Sequence, residues 1–185
     1  MQLTQSTINQ IKNPGQLQEN FIKYLEEAGL SIDNSKTIAA VALYDQRQIA
    51  GTLVTKFFTG TFDSTNTNVV GSFVRPQSEH VMITHIRVAD AVSATVNLSN
   101  WIPGVATAAT KNARISILNN SEQELKKFPL TEFIAGLTTK DVGLLTLEEP
   151  ILWQGQTELD LTFEAVSNPI ANKNLRITLI GIGLI

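Results

Sequence analysis

The sequence predicts a mainly β chain: a single antiparallel β-sandwich of about eight strands preceded by one N-terminal helix. Three observations predict it. Only one stretch has helical spacing, and it ends by residue 29. From about residue 36 the apolar period changes to two, and turn signals recur every ~10–15 residues. No helical pattern alternates with those strands, so the crossovers of a parallel sheet are missing.

Residues 1–13 are polar, with Lys12 as their single charge, and read as an extended arm or a disordered tail. Asn13-Pro14-Gly15 is a turn signal with proline placed to open a helix. "QLQENFIKYLEEAG" then sets Leu17, Phe21, Tyr24, Leu25 and Ala28 on one face, and Gly29 sits where a helix-ending glycine belongs. The helix therefore covers 14–29, and residues 30–185 form the sandwich, one domain with the helix.

"KTIAAVALY" (36–44) is apolar enough for a buried strand, although a short helix also fits. "QIAGTLVTKFF" (48–58) alternates through Ile49, Leu53, Thr55 and Phe57. "TGTFDSTNTNVVGSF" (59–73) reads as a loop entering a strand near Val69. "HVMITHIRVAD" (80–90) sets Met82, Ile86 and Val88 against His85 and Arg87. "AVSATVNLS" (91–99) and "ARISILNN" (113–120) repeat the alternation. "LTEFIAGLTT" (130–139) reads as a short helix or an ordered connection. "GLLTLEEPILW" (143–153) is a strand interrupted by Pro150, which cannot donate to a ladder. In "TELDLTFEAV" (157–166), Leu159, Leu161, Phe163 and Ala165 oppose Glu158, Asp160, Thr162 and Glu164, the mark of one dry and one wet face.

The chain closes on "LRITLIGIGLI". Leu175, Ile177 and Leu179 should face the core, with Arg176 and Thr178 facing out. Gly181 and Gly183 allow a bulge or a close pass to another chain. Ile180, Ile182, Leu184 and Ile185 cannot all enter one core, so some should meet the N-terminal helix or a neighbouring subunit. They are candidate interface residues, together with Trp101 and Trp153, which sit near strand ends where tryptophan serves as an anchor or a sugar-stacking platform. With this strand number and these connections, a jelly roll is the leading architecture.

The chemistry inventory is thin. There is no cysteine, and the chain carries a net charge of −3 with 17% charged residues, so a phosphate-neutralising role is disfavoured. His80 and His85, five apart on a strand, project to opposite faces and cannot share a metal. The closely spaced His-x-His followed by Glu of the jelly-roll cupin enzymes is absent. No nucleophile elbow or P-loop appears. Glu148-Glu149 reads as a solvated turn. Asp160 with Glu158 or Glu164 forms a carboxylate pair about 7–14 Å apart, a span that overlaps the glycosidase range but is usually just the wet face of a sheet. No catalytic, cofactor-binding or metal residue is assigned. No signal peptide and no membrane-spanning run is read from the sequence.

"HIRVADAVSATVNLSNW", "KFPLTEFIAGLTTKDVGLLTLEEPILWQGQTELDLTFEAV" and "LRITLIGIGLI", within residues 80–185, resemble jelly-roll structural proteins of icosahedral bacteriophage particles. The likeness lies in the order of the tail: a proline-containing strand entry, an alternating strand, a short Asn/Pro turn and a final strand. It implies a virion protein made in the host cytoplasm without catalytic residues. Because double-jelly-roll capsid proteins carry two sandwiches, room for one here implies a single-jelly-roll capsomer, a vertex (penton-like) protein or a spike base. Its partners would be itself, as a trimer or pentamer, and other capsid proteins, with no specific nucleic acid. A carbohydrate- or receptor-binding module of a fibre or tail, using Trp101, Trp153 and "DSTNTN" (63–68) on a glycan, is the alternative. A glycoside-active enzyme using Asp160 is the third reading.

Overall fold

The computed structural model describes residues 14–30, 32–33, 35–49, 51, 53–59, 65–69, 73–92, 101–103, 113–118, 124–133, 143–166 and 173–184. In chain order these form α1 (Pro14–Glu27), β1 (Ile38–Gln48), β2 (Val54–Phe57), β3 (Val81–Val92), β4 (Ile102–Pro103), β5 (Arg114–Leu118) and β6 (Glu124–Pro129). A 3-10 turn (Leu130–Phe133), β7 (Leu144–Trp153), β8 (Asp160–Glu164) and β9 (Lys173–Leu184) follow.

The strands build two antiparallel sheets. A five-stranded sheet runs β1-β9-β3, with β7 and the short β4 both on the far side of β3, and a four-stranded sheet runs β2-β8-β5-β6. Alternation decides what lies between them. Ile83, Ile86, Val88, Leu175, Ile177 and Leu179 from the first sheet meet Phe57, Ile115, Ile117, Leu161 and Phe163 from the second in one core. The mainly β sandwich with a preceding helix is thus the observed architecture.

β9 lies between β1 and β3, paired along its length on both sides. At the Ile83–His85 step the register of β3 slips, and Thr84 is the extra residue. The bulge keeps both Ile83 and Ile86 inside, three apart, which strict alternation forbids. It also turns Met82 to the opposite face from Ile86 and Val88, correcting the sequence expectation that the three share a side. Beside the bulge Gly181 is required: a Cβ there would stand 1.9 Å from the Met82 carbonyl oxygen. The close pass expected of the glycines is made to β3 of the same chain.

Other expectations change at the edges. β2 is short, and Leu53 precedes it with 48% of its surface exposed. No strand forms at Val69. Instead Thr67 bridges to Asp45, and the Asn68 side chain accepts from the Tyr44 N–H (2.6 Å) and donates to the Ala42 carbonyl (2.7 Å), covering the outer edge of β1. β6 was not read from the sequence. Pro150 stays within β7, at the irregular step opposite the β3 bulge. The arm, residues 1–13, and most of the 91–99 and 134–139 segments lie outside the described residues.

One buried charge ties the layers together, and a buried ion pair braces β9 against β3 within the five-stranded sheet. Asp45, fully buried, accepts from the Phe58 N–H (2.9 Å) and pairs with Arg47 (2.9 Å). Lys173 pairs with Asp90 in full burial. Among the described residues no helix is long and apolar enough to cross a membrane.

Candidate functional site

The closing apolar residues are consumed inside the chain. Even-numbered positions of β9 face away from the core, and α1 lies over the last of them. Ile182 and Leu184 pack with Met82, Phe21 and Leu25, with Leu17, Tyr24, Leu30 and Ile32 around them. The helix is set by its own signals: Gly29 takes φ +69°, and the Leu30 N–H donates to the Leu25 carbonyl (2.9 Å), closing the end as glycine-terminated helices do. Ile180 is 6% exposed. Of the two covers expected for these residues, the helix takes Ile182 and Leu184, so they are corrected from interface to core. Ile185 lies outside the described residues.

Trp153 is also corrected. It points inward from β7, 1% exposed, edge-on to Phe58 at 5.9 Å, and its Nε1–H donates to the Thr157 carbonyl (2.9 Å). A ring so enclosed cannot stack on a sugar or anchor a partner. Of the five candidates among the described residues, Trp101 alone keeps partial exposure, and it belongs to a different cluster.

That cluster occupies the outer face of the five-stranded sheet, beyond the reach of α1. Since Ile177, Leu179, Ile86 and Val88 face the core, their neighbours Arg176, Thr178 and Arg87 face out. The Arg176 guanidinium stacks between Tyr44 (4.2 Å to the ring centroid) and Trp101 (5.0 Å), and its Nε and Nη2 both donate to the Gln46 Oε1 (3.2 and 2.9 Å). Burial pushes its pKa below the usual arginine value, although the guanidinium remains charged. Arg87 stands opposite Thr178 on β9. The Nε of Arg87 and the Nε1 of Trp101 are buried without an acceptor. The sequence sets Arg87 on the side opposite Ile86 and Val88 and faces Arg176 outward, but carries no signal that Tyr44, Gln46 and Trp101 surround them, because these come from β1 and from the lead into β4.

The remaining candidates are engaged structurally. Asp160 pairs with Lys56, Glu164 pairs with Arg114, and Glu158 accepts from Thr59 Oγ1 (2.6 Å). Glu149 pairs with Lys126 across the lip between β6 and β7 (2.8 Å), which holds its carboxyl below the usual range through that hydrogen bond and charge. An open groove of about 300 Å³ lies there, floored by Phe128, Leu145 and Leu147. His85 Nδ1 shares a hydrogen with Thr84 Oγ1 (2.8 Å). His80 Nδ1 accepts from the Gly155 N–H (3.0 Å), and burial followed by the Arg75 charge lowers its pKa. Among the described residues no three His, Cys, Asp or Glu side chains converge as a metal site would require. No family model, curated protein or solved structure matches this chain.

Proposed function

We propose that the protein is a structural subunit, a jelly roll of the kind that forms capsid or vertex (penton-like) capsomers, which assembles into a symmetric trimer or pentamer rather than catalysing a reaction. The strand order carries this reading. Leaving aside the two-residue β4, the pairs β1–β9, β2–β8, β3–β7 and β5–β6 are those of one long ribbon, and β9–β3 with β8–β5 are the contacts made when that ribbon rolls up. An eight-stranded ribbon rolled into a jelly roll would make these pairings, which supports the reading. The carboxylates a glycosidase would use are tied into ion pairs and hydrogen bonds on the wet face.

Self-association has a surface to use. Leu53, Val54, Val92 and Val166 are 48–76% exposed. The register of β1, β3, β8 and β9 sets all four at the same end of the sandwich. Exposed apolar groups gathered in one place mark contact sites. Light scattering coupled to gel filtration tests the reading. A discrete trimer or pentamer that dissociates in the Leu53→Asp/Val54→Asp variant is expected. A strict monomer at high protein concentration overturns it.

A further inference from the structure

The chain has five arginines, and three of them hold a carboxylate: Arg47 with Asp45, Arg75 with Glu79 and Arg114 with Glu164. The other two, Arg87 and Arg176, make no ion pair among the described residues. They share the outer face of the five-stranded sheet. Arg87 is opposite Thr178, one same-face step along β9 from Arg176. The two therefore stand in a diagonal cross-strand relation, about 7–8 Å apart at the backbone.

Two half-buried cations in this relation repel each other, and each has lost part of its hydration. Arg176 has only the neutral Gln46 oxygen as acceptor, and Arg87 Nε and Trp101 Nε1 have none. A buried donor without an acceptor has lost its water and gained nothing in return. The cluster thus supplies donors and positive charge that no acid among the described residues absorbs. Its geometry is also fixed in advance: Tyr44 and Trp101 hold the Arg176 fork from both sides, and Gln46 locks its rotation. Nε and Nη2 of Arg176 are spent on Gln46, so it is the remaining N–H groups of its fixed guanidinium, beside the Arg87 guanidinium, that are left for an oxyanion.

We propose that this face binds a doubly charged oxyanion, a phosphate or a dicarboxylate, held by Arg87, Arg176 and the Trp101 indole N–H. Two negative charges balance the two guanidinium groups, and the anion oxygens accept from the unpaired donors. The site does not depend on the assembly reading, since it is built from one chain.

The probes are inorganic phosphate and succinate, each titrated against sodium chloride at matched ionic strength. The readouts are the thermal midpoint and tryptophan emission. The expected result is a saturable rise in midpoint with at least one of the two anions, beyond the chloride control. An emission change that disappears in Trp101→Phe should accompany it, and the anion that acts identifies the ligand class. Arg87→Gln and Arg176→Gln should each weaken the apparent affinity about tenfold or more, the loss expected for a charge-assisted donor. Arg176→Lys, which keeps the charge but not the fork, should weaken it as well. Absence of a saturable response to either anion in the wild-type chain overturns the proposal, and so does an undiminished response in Arg87→Gln/Arg176→Gln.

Discussion

His80 sits where three segments meet. Its ring accepts from the Gly155 N–H, its carbonyl accepts from the Leu184 N–H (2.9 Å), and it closes the loop that carries Arg75 and Glu79. Arg75 lies against Trp153 and pairs with Glu79, whose other oxygen holds Lys36 (3.0 Å). A proton on Nδ1 would remove the acceptor and add charge near Arg75. The folded-state pKa is accordingly below 6.5, so the unfolded chain takes up a proton that the folded chain refuses. The stability involved is full above 6.5 and is lost as the pH falls below it. Asp45 works in the opposite sense lower down: burial raises its pKa above 3.8, so protonation there favours the folded chain. His80→Asn keeps an acceptor near the Nδ1 position and cannot titrate. Its thermal midpoint should fall less than that of the wild type between about pH 7 and about pH 5. Parallel curves would show that another group carries the acid sensitivity. The partners of His80 lie 75 residues away at Gly155 and 104 away at Leu184, beyond any local pattern.

At the scale of elements, α1 and β9 depend on each other. The helix is short, and isolated helices of this length are marginal in water. Its Phe21 and Leu25 are fully buried against the outer side of β9. Phe21→Ala should cost about 3–5 kcal/mol, read as a lower urea midpoint, because it leaves a cavity between helix and sheet. A loss under about 1 kcal/mol would mean the helix is not what covers Ile182 and Leu184. The amphipathic face of α1 was legible in the sequence. β6 was not, and its register explains why. Lys126 stands opposite Ile117, whose side chain faces the core, so the strand carries a lysine on its inner side. A charge pointing inward at a sheet edge blocks pairing with other strands and erases the alternation by which a strand is recognised. The bulge at Thr84 hid the true facing of Met82 in the same way, by adding one residue to a period of two.

For the whole molecule, the position of β9 predicts where stability concentrates. It is paired on both sides and buried on both faces, whereas β2 is a four-residue edge strand. Native-state hydrogen exchange should find the amides of Leu175–Ile180 opening only with global unfolding, and those of β2 opening earlier at lower free energy. Equal protection in the two strands would contradict this order. The amino-acid sequence by itself determined the helix, the two-residue period, the dry and wet faces of β8 and the inward set Leu175, Ile177 and Leu179. All of these follow from neighbours a few residues apart. Only the tertiary structure decided that Ile182 and Leu184 lie beneath α1, that Trp153 is core, and that Arg87 and Arg176 share a face with Tyr44, Gln46 and Trp101. Period-two alternation tells a side chain which face to take, whereas strand order and register, set by contacts between distant segments, decide what it meets there.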